Sequence, residues 1–303
     1  MVANAPVSFG AFEVTVGVNP NVPAGTAVLD AVAQAGYDGI DLGPPGYLGT
    51  VDELPSRLAD RHLRLAGGYV ALPFSQPDAV PGAIAELEAL LDIFDAAGSR
   101  ADGAPPPRPT LADAGSDARR ATPGQAQRDR ALGLDAAGWA RLAEGVAGAL
   151  EACRRRGYEP TFHHHAGTYV EAPWEIEELL RRTEIGLCLD TGHLLLGGGD
   201  PVQALGDWGR RINHLHLKDV RLSVVDAIVR EQAPMMEVWR RRAFYPLGEG
   251  DLDVEGVLEG LKRRQYQGWL VVEQDTIPDP SDPADRAARD QVRNRAFLRA
   301  HGV

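Results

Sequence analysis

The sequence predicts an α/β fold of the closed (β/α)8 barrel type, and three observations lead there. Eight short apolar runs alternate with helical segments through 303 residues, the rhythm of strands each followed by a helix. No linker interrupts that rhythm, so one domain is expected over 1–303, with longer loops near 99–109 and 117–128. Six of the eight histidines lie between His163 and His216, in clusters that each close an apolar run: TFHHHAG, GLCLDTGH and INHLHLKD. A fourth run, GWLVVEQD, ends in Glu273 and Asp275. Side chains at the C-terminal ends of barrel strands converge on one mouth, where catalysis is placed.

In chain order, AFEVTVG (11–17) reads as the first strand and TAVLDAVAQAG (26–36) as a helix stopped by a glycine. YDGIDLG (37–43) is the next strand, with Ile40 and Leu42 alternating before GPPG. A helix over 51–61 leads to the strand LRLAGGYVALP (63–73). The 78–98 segment has apolar residues at helical spacing, SRADGAPPPRP is a proline-rich loop, and TLADAGS (110–116) is a short strand. The stretch 117–128 shows no clear period, whereas 137–156 is a strong helix with a glycine stop. Strand YEPTFHHH precedes the helix APWEIEELLRR, with Pro173 in its first turn as helix starts prefer. Strand IGLCLD, helix PVQALGDWGRR and strand INHLHLKD follow, then an irregular or helical stretch through 240. VEGVLEGLKRRQYQG is a helix, WLVVEQD the last strand, and 284–299 a charged terminal helix.

An apolar fraction of 44% with 24% charged residues is ordinary globular composition. The net charge of −12 argues against a nucleic-acid backbone as partner, because phosphate binding needs a basic face. Lys218 and Lys262 are the only lysines. Cys153 and Cys188 both fall in apolar segments and read as buried thiols. No apolar stretch approaches membrane-spanning length, and no charged region precedes an apolar one at the N-terminus, so a cytoplasmic protein with no membrane partner is expected. GYDGIDLG lacks dinucleotide-binding spacing, and no phosphate-loop lysine motif exists.

Asp190 closes IGLCLD as a lone carboxylate that either caps the next turn or faces the pocket. His193, three residues on, is suited to orient a ligating group. His214, His216 and Lys218 share one strand parity, and His216 and Lys218 lie nearer the barrel mouth. His163 and His165 share a parity that His164 does not. Glu171, in the loop GTYVEAP, either offsets a helix dipole or reaches a metal. Glu273 is the better inward carboxylate of its pair, because a strand-end charge in a barrel is costly unless bound. Glu13 either orients a substrate hydroxyl or makes a salt bridge, and Arg221 and Lys218 are the positive groups near the site. Carboxylates with one imidazole suit Mn²⁺, Co²⁺, Mg²⁺ or Zn²⁺.

GYDGIDLGPPGYLG, HHHAGTYVE, LCLDTGH, HLHLKD and LGEGDLD…GWLVVEQD together resemble the inosose dehydratase family within the xylose-isomerase-like barrels, over about residues 9–280. The resemblance implies a divalent-metal pocket, Mn²⁺ or Co²⁺ first, with ligands on Asp190, His216 and Glu273. The glutamate usual at the end of strand 5 is replaced by His163, and Glu171 is the substitute ligand. The implied reaction is dehydration of a cyclic keto-polyol such as 2-keto-myo-inositol. His165 is then the base, with Lys218 or a second histidine, His163, assisting departure of the β-hydroxyl. A metal-dependent ketose isomerase or epimerase would share the first proton abstraction. An endonuclease IV-like nuclease would need a larger metal cluster and a basic groove, and a binding or scaffold barrel would carry no metal. The 99–109 and 117–128 loops either cover the pocket or build a homo-oligomer contact.

Overall fold

Ten strands organise the described residues: β1 (Val2–Asn4), β2 (Gly39–Asp41), β3 (Arg64–Leu72), β4 (Arg108–Asp113), β5 (Thr161–His163), β6 (Gly186–Asp190), β7 (Ile212–Leu217), β8 (Asp219–Val220), β9 (Phe244–Tyr245) and β10 (Leu270–Val272). All but β8 and β9 pair in parallel and close in the order β1-β10-β7-β6-β5-β4-β3-β2. The expected eight-stranded barrel is therefore present, and β8 and β9 form a separate two-stranded antiparallel pair. The computed structural model describes residues 1–76, 79–98 and 103–303. Residue 78 of the expected 78–98 helix and residues 99–102 of the proline-rich loop lie outside them.

The crossovers are α1 (Gly25–Ala35), α2 (Leu54–Ala59), α3 (Val80–Ala96), α4 (Asp117–Ala121), α5 (Ala136–Arg155), α6 (Pro173–Arg182), α7 (Thr191–Leu196), α8 (Pro201–Asp207), α9 (Leu222–Glu231), α10 (Met235–Arg240), α11 (Val254–Arg263) and α12 (Arg286–Ala300). In α5 the Asp135 carboxylate accepts the Gly138 N–H at 2.7 Å, the capping bond that starts a helix. Leu142, Val146, Ala149 and Cys153 then recur at helical spacing and are buried against the barrel. Burying each larger apolar side chain contributes about 1.5–3 kcal/mol. Both cysteines are free and buried, and no helix among the described residues is long and apolar enough to cross a membrane.

The first strand is a correction. The 11–17 segment is a series of turns, and β1 is Val2–Asn4. The Thr15 hydroxyl accepts the Phe12 N–H at 2.9 Å and donates to the Gly10 carbonyl at 2.6 Å. Local hydrogen bonds of this kind compete with a strand ladder. Val2–Asn4, by contrast, finds backbone partners on both sides, in β10 and β2. Val14, inside that segment, and Val18, just after it, are exposed.

The 117–128 stretch is also more ordered than expected. Ser116 caps α4 through the Arg119 N–H, and the Arg119 guanidinium holds Glu175 of α6 through two bonds of 2.8 and 2.9 Å. The segment through 240 resolves into α9 and α10, which share an apolar cluster with the β8–β9 pair, apart from the main core.

Candidate active site

Asp41 closes β2, His163 closes β5 and Asp190 closes β6. His216 sits one residue from the end of β7, and Glu273 follows β10. The ladder places Asp190 beside His216, and Val271 on the other side of it. The Glu273 N–H extends that ladder by donating to the Leu217 carbonyl at 3.1 Å. Parallel pairing thus brings side chains as far apart in the chain as Asp41 and Glu273, 232 residues, to one end of the barrel.

One donor atom from each of His163, Asp190, His216 and Glu273 lies within 4.8 Å of the other three. His163 Nε2 is 3.3 Å from Asp190 Oδ2, and His216 Nδ1 is 3.2 Å from Glu273 Oε2. Asp190 Oδ2 and both ring nitrogens of His216 are buried without a hydrogen-bond partner. Buried polar atoms are normally satisfied, and these find ion-pair contacts instead, with one another, with His163, Glu273 and Lys218, and with Asp41, which gives the cluster the donor-rich character of a cation site. Two imidazoles and two carboxylates match the donor preferences of a divalent transition metal. Asp190 divides its work: Oδ1 accepts the His193 N–H at 2.8 Å, capping α7, which leaves Oδ2 for the cluster.

Lys218 Nζ lies beside this group, 2.9 Å from Glu273, 3.2 Å from Asp190, 3.0 Å from Asp275 and 3.2 Å from His193 Nε2. Burial works against its charge, but Asp190, Asp275 and Glu273 outweigh that cost and hold its pKa well above the ordinary lysine value. Burial likewise opposes ionisation of Asp190 and Glu273. Lys218 with His193 at Asp190, and His216 with Lys218 at Glu273, reverse the effect and keep both carboxyls below their usual range. Asp275 differs: burial dominates, and its pKa is pushed up to about 6.

His165 borders the pocket, and its Nδ1 is 2.7 Å from the Ala166 carbonyl oxygen. A carbonyl only accepts, so Nδ1 carries the ring proton and Nε2 offers a lone pair. Burial, together with the charges of His163 and Lys218, lowers its pKa to about 3, which keeps the ring neutral. His164, of opposite parity, serves the backbone, its Nε2 accepting the Asp190 N–H at 3.1 Å.

The cavity over these groups measures about 190 Å³. Its polar floor includes Asp41, His163, His216, Lys218 and Glu273, and its wall includes Pro6, Phe12, Tyr69 and Trp239. This is smaller than the roughly 300–1,000 Å³ typical of drug-sized ligands and suits one small molecule.

A model of the xylose isomerase-like TIM barrel matches residues 29–301. The chain belongs to that family. An inosose dehydratase of Bacillus thuringiensis (strain Al Hakam) is 34% identical over 165 residues, 53% of this chain and 55% of the relative. The chain thus spans about half the length of the curated relatives it matches. Among solved structures, the IOLI protein with a bound zinc atom superposes with a TM-score of 0.70 at 14% identity, covering 98% of this chain and 97% of the other. The probable 3-DHS dehydratase AsbF of Bacillus anthracis gives 0.68 at 15% identity, covering 98% of each chain. At such identities the two superpositions show the fold alone.

Within this family barrel, several expected site residues take different places. Glu171 is not brought to the four-donor group of His163, Asp190, His216 and Glu273. It is fully buried in a separate network, accepting the Gly167 and Gly124 N–H groups and facing Arg119 at 3.7 Å. Its carboxylate has partners already, and the fourth donor is His163. Arg221 is also turned away, its guanidinium donating to the Glu249 carbonyl, lying near Asp251 and stacking over Tyr245. Glu13 lines the mouth as an exposed side chain, from the loop after β1 and not from a strand. His193 does not line the cavity; it stands behind it, 3.2 Å from Lys218 Nζ and with its ring centroid 3.8 Å from that of His165.

Asp41 was not anticipated. Its carboxylate lines the cavity 3.6 Å from His216 Nε2, and the signal was present, since Asp41 closes the run GID as Asp190 closes GLCLD. Gly67 makes room for it. A Cβ there would sit 3.0 Å from Asp41 Oδ1 and 2.9 Å from the Arg108 carbonyl oxygen. Asp275 shares the parity of Glu273 and also lines the cavity. Tyr69 and Trp239 had no local signal, because only the closed barrel brings β3 and α10 to the same mouth.

Proposed function

We infer that this chain is a divalent-metal-dependent hydro-lyase that removes water from a cyclic keto-polyol such as 2-keto-myo-inositol. The observation that carries this reading is the four-donor group His163, Asp190, His216 and Glu273, set in a small cavity beside a charged lysine and a neutral histidine. The identity shared with the inosose dehydratases across half the chain supports the substrate class. The two-imidazole set suits Co²⁺, Mn²⁺ or Zn²⁺ better than Mg²⁺, which prefers oxygen ligands and retains its water. When bound, such an ion supplies Lewis acidity at the substrate carbonyl.

The chain's own residues divide the remaining work. His165 Nε2 takes the proton from the carbon next to the carbonyl, its ring held by the Ala166 carbonyl. The Lys218 ammonium donates a proton to the departing β-hydroxyl, so that water leaves as the carbon–oxygen bond breaks. Asp275, 3.0 Å from Lys218 Nζ, keeps that ammonium placed and charged until then. The enol that remains tautomerises to the diketone, and exchange with solvent returns the base and the acid to their starting states. Asp41 and Tyr69, both at the cavity, are placed to receive the hydroxyls that do not react.

The experiment is direct. The purified chain, given 2-keto-myo-inositol and Mn²⁺ or Co²⁺, should form a conjugated absorbance with loss of water, and a chelator should abolish the signal. Inert keto-polyol together with clean interconversion of a ketose and its epimer would replace the hydro-lyase reading with an epimerase.

A further inference from the structure

We propose that Trp239 and Phe12 form a ring-binding wall that makes the site select a closed carbocycle over an open-chain polyol of the same hydroxyl count. The inference rests on the keto-polyol reading above and adds the feature that would set its substrate shape.

The cavity lining is of two kinds. Beside the charged groups, Ala5, Pro6, Ala11, Phe12, Pro44 and Trp239 supply the apolar part of its lining. The Phe12 and Trp239 rings lie with centroids 4.8 Å apart and planes inclined at 31°. They come from unrelated parts of the chain, Phe12 from the loop after β1 and Trp239 from α10. Both segments are anchored. Thr15 ties the Phe12 backbone through its hydroxyl, while Met235 and Val238 bury α10 in the separate apolar cluster it shares with α9, β8 and β9, against which Trp239 also packs. Trp239 is only half-buried by this packing, and its indole N–H has no acceptor within the protein.

A metal-and-lysine floor recognises hydroxyl and carbonyl oxygens, and so by itself it accepts rings and chains alike. The faces of a cyclohexane polyol carry C–H groups, while its hydroxyls project mainly at the rim. An aromatic pair in the lining can cover such a face with its outer ring face or its edges, gaining burial without stranding a hydroxyl. An open-chain polyol has no continuous apolar face and would place hydroxyls against the rings, which cannot accept them well.

The test uses myo-inositol and sorbitol, an unreactive ring and chain with equal hydroxyl counts, titrated calorimetrically into the metal-loaded full chain and its W239F and W239A variants. Thermal melting checks that each variant is folded. Wild type should bind the ring at least tenfold more tightly than the chain. W239A should weaken ring binding by about tenfold or more while changing sorbitol little, collapsing the preference, and W239F should keep most of it. Equal loss for both ligands, an unchanged preference in W239A, or no ring binding by wild type would each overturn the inference. The hydro-lyase reading is judged separately by water loss from the keto-ring, so either idea can fail while the other stands.

Discussion

Lys218 Nζ and Glu273 Oε2 lie 2.9 Å apart, both side chains almost wholly removed from solvent. The same ammonium touches Asp190 and Asp275, so its charge stands among three buried acids, beside the His216 imidazole, where burial opposes a charge and Glu273 and Asp190 favour it. Lys218→Met leaves those acids without that ammonium. Removing one partner of a buried ion pair costs about 3–5 kcal/mol. The variant should therefore melt well below wild type in chelator, recover much of the difference when metal is added, and remain without dehydration activity. Equal melting of the two proteins in chelator would show that Lys218 carries no such electrostatic role.

Metal stoichiometry separates the donors. Asp190→Asn, Glu273→Gln, His163→Ala and His216→Ala should each lower bound metal, measured by elemental analysis after dialysis against a defined trace concentration. Glu171→Gln should leave it at the wild-type level, because Glu171 faces Arg119 and two backbone N–H groups. Loss of metal in the Glu171 variant with retention in the His163 variant would restore the arrangement the sequence suggested.

Glu171 should announce itself in the pH dependence of stability instead. Burial raises its pKa from 4.5 to about 7 in the folded chain, although the Arg119 charge opposes the shift. Between those values the folded state holds a proton that the unfolded state has released, so the contribution of Glu171 falls as pH rises from about 5 to 7. At about 1.4 kcal/mol per pKa unit, the change is up to about 3 kcal/mol. Glu171→Gln should flatten that decline in urea-unfolding free energies measured from pH 5 to 8, and an unchanged slope would contradict the assignment.

Gly67→Ala probes the floor without touching a donor. Its Cβ would press on the Arg108 carbonyl oxygen and the Asp41 carboxylate. Overpacking of this kind typically costs about 1–3 kcal/mol. The variant should lose that much stability and show a raised KM, because Asp41 must move. Normal substrate binding in a folded Gly67→Ala protein would remove Asp41 from the binding role.

Much of the site was legible because β-strand parity and strand-end position are local properties. Asp190, His216 and Glu273 stand out as polar residues closing apolar runs, and Asp41 obeys the same rule though it was passed over. The misreadings of Glu171 and Arg221 share a cause. Both follow strand ends in loops, where the backbone path is set by remote partners such as Gly124 for Glu171 and Glu249 for Arg221. The first strand failed for a related reason, since AFEVTVG has the alternation of a strand but Val2–Asn4 has the neighbours.

By itself, then, the sequence determined the barrel, through the period of its apolar runs, and the chemical types of the groups at its mouth. Tertiary structure decided which of those groups meet. Closing the sheet put His163 within reach of Asp190 and His216, gave Glu171 to Arg119, and carried Trp239 from a separately packed helix to the cavity. The physical reason is that hydrophobic periodicity is written residue by residue, whereas a metal site needs angstrom-scale convergence of atoms from distant segments. That convergence depends on register and loop path, which are fixed only when the whole core packs at once.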